Sequence, residues 1–377
     1  SPLATFGPMP VSMSCVETPA EEDVFHEMAW GVDSRGLLSV LNPPALSAVY
    51  QSQHSDPSIS GLWRQHHAEF AEFAFSRSAP RSVVEVGGAT GYLATLALEG
   101  SYGISEWTIV EPFPPAELPA GLRFVEGWFP DALPEMKVES LVATHVLEHT
   151  PDPYVFLLDC WEALSFGGHL LLSWPDMAAM AARTDLNMLN FEHLHFLSQE
   201  TVFRMLGSAG FSVTESRNFE QHSVFLRAVK TGSPSASEPN AAETREDLQA
   251  LVGAYVRSLN DLTTQMNSSI ETWPGETFLF GAHVFSQYLI AAGLNADLLA
   301  GLLDNSPSKK GKRLYGSDLS VIGPEALDGR DSVQVLIAAA LYEREVVRQL
   351  ASFNLPGCRV STSRFGEFLL KDWVNHD

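Results

Sequence analysis

Two stretches of this chain hold residue types that can move a proton or grip a nucleotide. The segment Asp185-Leu186-Asn187-Met188-Leu189-Asn190-Phe191-Glu192-His193-Leu194-His195-Phe196-Leu197-Ser198 sets a carboxylate directly beside an imidazole, ahead of a helix predicted to begin near Ser198. Histidine titrates near neutrality and an adjacent acid biases its protonation, so Glu192 and His193 can supply a base and a supporting charge. The same pair can also cap the next helix and fill a loop. The second stretch, Ser82-Val83-Val84-Glu85-Val86-Gly87-Gly88-Ala89-Thr90-Gly91-Tyr92-Leu93-Ala94, reads as a buried β-strand running into a glycine-rich turn that opens a helix. An apolar β-branched run there meets residues that tolerate unusual dihedrals and let a ligand reach the backbone, which is the pattern of a nucleotide-type site. Gly87, Gly88 and Gly91 do not follow the G-x-G-x-x-G series of dinucleotide folds, and an acid, Glu85, stands two positions before the first of them.

The elements that must position these residues follow in register. Trp107 to Glu111 is a second strand ending in an acid twenty residues after Gly91, where doubly wound folds hold a carboxylate for the ribose hydroxyls. Glu111 is the expected ribose ligand, and Pro112 and Pro114 stop the strand at that point. A short third strand, Leu122 to Val125, leads to Gly127-Trp128-Phe129. Val138 to Ala143 makes a fourth, ending in Thr144-His145-Val146-Leu147-Glu148-His149-Thr150-Pro151-Asp152-Pro153. Gly167 to Pro175 is a turn and a fifth strand, and Phe211 to Ser216 with Ser223 to Val229 forms an antiparallel pair.

The E-x-G-x-x-x-G spacing and the motifs after it resemble class I S-adenosylmethionine (SAM) dependent methyltransferases. The resemblance implies an α/β fold with a Rossmann-like seven-stranded sheet, and SAM as cofactor. A sulfonium and an amino-acid tail suit a nearby carboxylate and open backbone groups, so Glu85, Gly87, Gly88, Ala89 and Gly91 are expected to cradle them. Glu111 and Pro112 then lie at the ribose, Trp128 and Phe129 at the adenine, and His145 in the segment lining the methyl-transfer pocket. A bare aromatic pair is otherwise more often core than cofactor box.

The run from Glu192-His193 to Ser198 resembles the E-H-x-x-x-F-S motif of the sugar C-methyltransferases, enzymes that methylate nucleotide-linked deoxysugars. That resemblance implies His193 as general base, Glu192 as its adjacent acid and His149 as a second active-site histidine, with His149 or His195 donating to an enolate oxygen. The tyrosine of that family two residues before the glutamate is Asn190 here, and its four-cysteine zinc module is lacking. Both departures open the choice between carbon and oxygen acceptors, and no metal or redox cofactor is expected. The resemblance extends to a smaller C-terminal Rossmann-like α/β module. Phe280-Gly281-Ala282 repeats the glycine turn there, and Asp304-Asn305-Ser306-Pro307-Ser308-Lys309-Lys310-Gly311-Lys312-Arg313 is a basic cluster at a strand end, with Lys310 the expected substrate contact.

The 377 residues carry a formal net charge of -23, which excludes nucleic acid as the substrate, since phosphate backbones are bound by excess Lys and Arg. A small molecule, a sugar or nucleotide sugar, is the expected substrate. The three cysteines, Cys15, Cys160 and Cys358, are far apart and form neither a metal quartet nor a disulfide framework. With no long apolar run and no basic and apolar leader, neither a membrane partner nor secretion is expected, and a cytoplasmic location is. The expected organisation is an arm and helical lid over 1–75, a SAM-binding domain over 76–230, a linker and long helix over 231–272, and the Rossmann-like module over 273–377. Within the lid, Ser1 to Glu21 reads as irregular, Val24 to Phe75 as helical, and His54, in a polar loop from Tyr50 to Pro57, as a substrate contact. Competing readings are an NAD-dependent enzyme built on the terminal module, a methyltransferase of non-sugar natural products, and a non-catalytic scaffold of the same fold. The oligomeric state is not set by the sequence.

Overall fold

The computed structural model describes residues 1–49, 60–77, 80–115, 117, 119–133 and 137–373. His54 and the polar loop around it lie outside the described residues.

The N-terminal segment is built from strands. Strand β1 (Ala4–Pro10) is followed by the two-residue β2 (Cys15–Val16), then β3 (Phe25–Val32) and β4 (Leu38–Val40), and β1, β3 and β4 make a three-stranded antiparallel sheet. The expected irregular arm is therefore a strand, and the expected helix over 24–75 begins late. The reason is turn chemistry: the Asp33 carboxylate accepts from the Arg35 and Leu37 N–H groups at 2.9 and 3.0 Å, and Gly36 takes a φ of 83°. An Asx-type turn closed by a left-handed glycine reverses the chain into a hairpin that no helix accommodates. Two helices follow, α1 (Leu46–Val49) and α2 (Gly61–Phe75).

Next come β5 (Ser82–Val86), α3 (Tyr92–Glu99), β6 (Glu106–Glu111), β7 (Arg123–Glu126), β8 (Val138–Thr144), α4 (Pro153–Ala163), β9 (Leu164–Pro175), α5 (Met177–Arg183), α6 (Gln199–Ser208), β10 (Phe211–Phe219) and β11 (Ser223–Lys230). The sheet order is β10-β11-β9-β8-β5-β6-β7, with β11 antiparallel to both neighbours and the other pairings parallel. This is the seven-stranded Rossmann-like sheet expected of a class I methyltransferase. The strand order reverses between β5 and β8, and the crevice outside the carboxyl ends of such strands is where open α/β sheets bind ligands.

The long helix α7 (Arg245–Thr272) starts at a capping box, Thr244 and Asp247 each bonding the other's backbone. The C-terminal module contains β12 (Glu276–Phe280), α8 (Val284–Ala291), β13 (Gly301–Leu303), β14 (Arg313–Leu314), β15 (Val321–Ile322), β16 (Val333–Ile337), α9 (Glu343–Ala351), β17 (Arg359–Thr362), β18 (Gly366–Leu369) and α10 (Leu370–Trp373). Its six-stranded sheet runs β15-β13-β12-β16-β17-β18, parallel except for β18. The N-terminal sheet packs onto this module. Phe6 lies 4.6 Å from Trp30 and 5.8 Å from Tyr288 between ring centres, Trp30 lies 5.1 Å from Tyr255 of α7, and β2 pairs with β14. One apolar core consequently runs through the N-terminal sheet, α7 and both Rossmann-like sheets. Among the described residues, no helix is long and apolar enough to cross a membrane.

Candidate active site

The carboxyl ends of the two sheets line a single cavity of about 690 Å³. On one wall the turn after β5 is shaped by its glycines. Gly87 and Gly91 hold φ values of 71° and 77°, left-handed conformations that disfavour a side chain. Close approach reinforces the requirement, since a Cβ on Gly87 would stand 2.7 Å from Val146 Cγ2 and one on Gly91 2.6 Å from Leu122 Cδ1. Glu111, at the end of β6, holds the turn from beside it: its carboxylate accepts from Ala89 N–H at 3.0 Å and from Phe113 N–H at 3.1 Å. Glu85 is buried under Gly88 and accepts from the Trp107 indole at 2.9 Å; burial pushes its carboxyl up to about 8, against the pull of that bond. Glu85, Gly87, Gly88, Ala89, Glu111, Pro112, Trp128, Phe129 and His145 all line the cavity. Gly91 lies behind that wall as the N-cap of α3, and Trp128 remains 53% exposed.

The loop after β8 and the loop before α6 meet because Leu194 N–H donates to the Glu148 carbonyl at 3.1 Å. That contact brings His149 and His193 to 4.9 Å between ring centres, edge to face, both lining the cavity. Asn190, buried and outside the cavity lining, accepts from the Glu192 and His193 N–H groups at 2.7 and 3.0 Å and so holds the loop that presents them. His193 Nδ1–H donates to the Asn187 carbonyl at 2.8 Å, which leaves Nε2 as the basic nitrogen. The cavity walls desolvate this ring and lower its pKa from 6.5, while the charge of Glu148 opposes the shift.

Residues 59–216 match the family model described as a methyltransferase domain. This segment is a methyltransferase domain. No curated protein matches the chain. Solved structures similar to it include a SAM-dependent methyltransferase from Mesorhizobium loti, at 16% identity, covering 42% of this chain and 97% of that one with a TM-score of 0.35. The N-methyltransferase NodS from Bradyrhizobium japonicum WM9, in complex with S-adenosyl-L-homocysteine, is 15% identical, with 46% and 89% covered and a TM-score of 0.35. A chain from the complex of the Haloferax volcanii Trm112 methyltransferase activator is 17% identical, with 45% and 92% covered and a TM-score of 0.39.

Outside the methyltransferase domain, the C-terminal module repeats the clasp around its own turn. Asp304, at the end of β13, accepts from Ala282 N–H at 2.9 Å and from Ser306 N–H at 2.9 Å, as Glu111 does from Ala89 and Phe113. Here, however, Lys309 Nζ fills the place beside the turn, 2.9 Å from Asp304 Oδ2 and 3.0 Å from the Ala282 carbonyl. Lys309 lines the cavity, whereas Lys310 is absent from its lining and pairs with Glu325 at 2.5 Å. His195 is also absent from the lining, standing one hydrogen bond behind Pro151, which belongs to it. It is buried, with Nε2–H donating to the Pro151 carbonyl at 3.0 Å and Nδ1 accepting from Ser39 at 2.9 Å, so it ties the loop after β8 to strand β4 of the N-terminal sheet.

A group that sequence reading missed surrounds Trp63, whose ring centre lies 5.1, 5.8, 4.7 and 4.9 Å from those of His66, His67, His145 and His222. Of its members only His145 was placed at the site from the sequence. Burial lowers all four histidines: His67 to about 4, His145 and His222 to about 3, and His66 well below 6.5. Burial also raises Glu85 to about 8 and Glu148 and Glu343 to about 7. From pH 8 to about 7 proton uptake is mainly by the native carboxyls, so stability rises on acidification. Between 6.5 and 4.5, seven histidines charge in the unfolded chain, since burial also lowers His169, His193 and His195, against the Glu85, Glu148 and Glu343 carboxyls in the native one. Stability then falls by about 1.4 kcal/mol per pH unit for each net proton. Below 4.5 the carboxyl contribution ends and the loss steepens. A melting-temperature profile peaking near pH 6.5 is expected, and one still rising toward pH 4.5 contradicts this balance.

Proposed function

We propose that the protein transfers the SAM methyl group to a carbon or hydroxyl of a sugar, nucleotide-linked or glycosidic, with His193 as general base. The observation that carries this reading is the bond from His193 Nδ1–H to the Asn187 carbonyl, 2.8 Å long, because it leaves an unprotonated Nε2 on a ring that lines the same cavity as the glycine turn. The lowered pKa keeps that nitrogen neutral at physiological pH, as a base requires.

The sulfonium is already activated, so the protein's task is alignment and removal of one proton. His193 Nε2 takes the proton of a hydroxyl, or of a carbon beside a ketone, as the acceptor's electron pair forms the bond to methyl. The S–CH₃ bond breaks and its pair stays on sulfur, giving neutral S-adenosylhomocysteine. His149 is the donor available to a developing enolate oxygen, and Glu192 supplies negative charge beside the imidazolium. The sugar assignment rests on the Glu192-His193 motif together with the second Rossmann-like module, whose Asn305, Ser306 and Lys309 face the cavity. The functional units of this reading are 1–75, here a three-stranded sheet followed by α2, which lids the cavity through Trp63 and His67, the SAM-binding domain over 76–230, the linker and helix over 231–272 and the module over 273–377.

Glu111 is assigned to the ribose hydroxyls. Hydrogen bonds to a charged group contribute about 1.5–3 kcal/mol, so Glu111→Ala is expected to weaken SAM by about ten- to a hundredfold by calorimetry. Unchanged affinity removes this assignment. Mass spectrometry of a panel of nucleotide sugars and glycosides incubated with SAM tests the acceptor class, and NMR of the product distinguishes carbon from oxygen. Turnover confined to non-sugar acceptors overturns the sugar reading.

A further inference from the structure

Glu148 is fully buried, and neither of its carboxylate oxygens makes a hydrogen bond to the described residues; His145 Nδ1 lies 3.0 Å from Oε1 but outside hydrogen-bond geometry. A buried carboxylate without donors is costly, and native structures rarely leave one so. Besides His145, two imidazoles stand close to it. Glu148, His149 and His193 each offer one ligand atom within 4.8 Å of the others. Two imidazole nitrogens and one carboxylate are a ligand set for Zn²⁺, Fe²⁺, Co²⁺ or Ni²⁺. Metal-bound histidines characteristically donate their other ring N–H to a carbonyl, as His193 does to Asn187.

We propose that Glu148, His149 and His193 form a divalent-cation site on the cavity floor, and that an occupied site silences His193 as a base. Tetrahedral bonds of about 2.1 Å set ligand atoms about 3.4 Å apart, so the trio, whose atoms lie within 4.8 Å of one another, closes by at most about 1.4 Å on capture. Three protein ligands leave a fourth position for water or an acceptor oxygen. The cation satisfies the Glu148 carboxylate and occupies the Nε2 lone pair that proton abstraction needs. Metal occupancy and general-base catalysis are therefore mutually exclusive at that atom. The binding claim is independent of the proposed reaction, whereas the inhibition rests on the reading of His193 as base.

Zn²⁺ is spectroscopically silent, so the direct probe is a Co²⁺ titration of chelator-treated full-length protein, read by visible d–d absorption. A stoichiometric band is expected in the parent, with at least tenfold weaker binding in both Glu148→Gln and His149→Ala. SAM calorimetry and circular dichroism establish that the variants are folded. No band, or the same band in both folded variants, overturns the site. Added Zn²⁺ is then expected to reduce turnover of the parent at least tenfold, and chelator to restore it. A bound metal that leaves turnover unchanged keeps the site and overturns the silencing, together with the assignment of His193 as base.

Discussion

Gly87→Asp is expected to abolish SAM binding. The residue holds a φ of 71°, and a Cβ there would sit 2.7 Å from Val146 Cγ2, on the face of the turn that lines the cavity. Backbone strain of about 1–2 kcal/mol accompanies a non-glycine residue in this region. The larger effect is on the ligand, because the side chain enters the gap between the turn and the segment after β8, and its charge adds to that of Glu111 near the donor's own carboxylate. Calorimetry measures the loss, and a melting curve separates it from unfolding. Retained affinity in a folded variant refutes the glycine turn as the donor site.

His193→Ala is expected to reduce turnover by about 10²-fold or more while leaving SAM affinity unchanged, the usual size of a general-base contribution. The expected pH dependence has a definite sign. A base must be neutral to act, and the pKa of His193 is lowered from 6.5, so the parent stays active below pH 6.5 and loses turnover only as pH falls through the lowered value. In the alanine variant that acid limb disappears. Unchanged turnover returns His193 to a purely structural role, as a ring held by Asn187 that packs on His149.

The succession of strands along the chain and the glycine turn were legible because both depend on local pattern. The β-branched run before Gly87 fixes β5, and the acid at Glu111 follows at the spacing the fold imposes. The N-terminal segment was misread as irregular arm and helix, since the hairpin depends on the Asx turn at Asp33 and on pairing of Ala4–Pro10 with Phe25–Val32, a contact between separate segments. The same limit hid the site's second half. Glu148 stands beside His149 in sequence, yet its meeting with His193 comes from the Leu194-to-Glu148 backbone bond, which no periodicity encodes. The basic cluster after β13 was found, but not which lysine faces the cavity: Lys309 is drawn inward by Asp304 and Lys310 outward by Glu325. Asn190 was read at the position of a reactive tyrosine, whereas its buried amide shapes the loop that carries Glu192 and His193.

The central claim is that the glycine turn after β5 holds SAM while His193 Nε2 takes the acceptor's proton. A crystal structure of the protein with S-adenosylhomocysteine and an acceptor sugar tests it most directly. The account predicts the homocysteine sulfur in the cavity beside Gly87, the ribose on Glu111, and the acceptor atom within about 3.2 Å of His193 Nε2. Density for the cofactor elsewhere, or an acceptor bound beyond reach of that nitrogen, contradicts it.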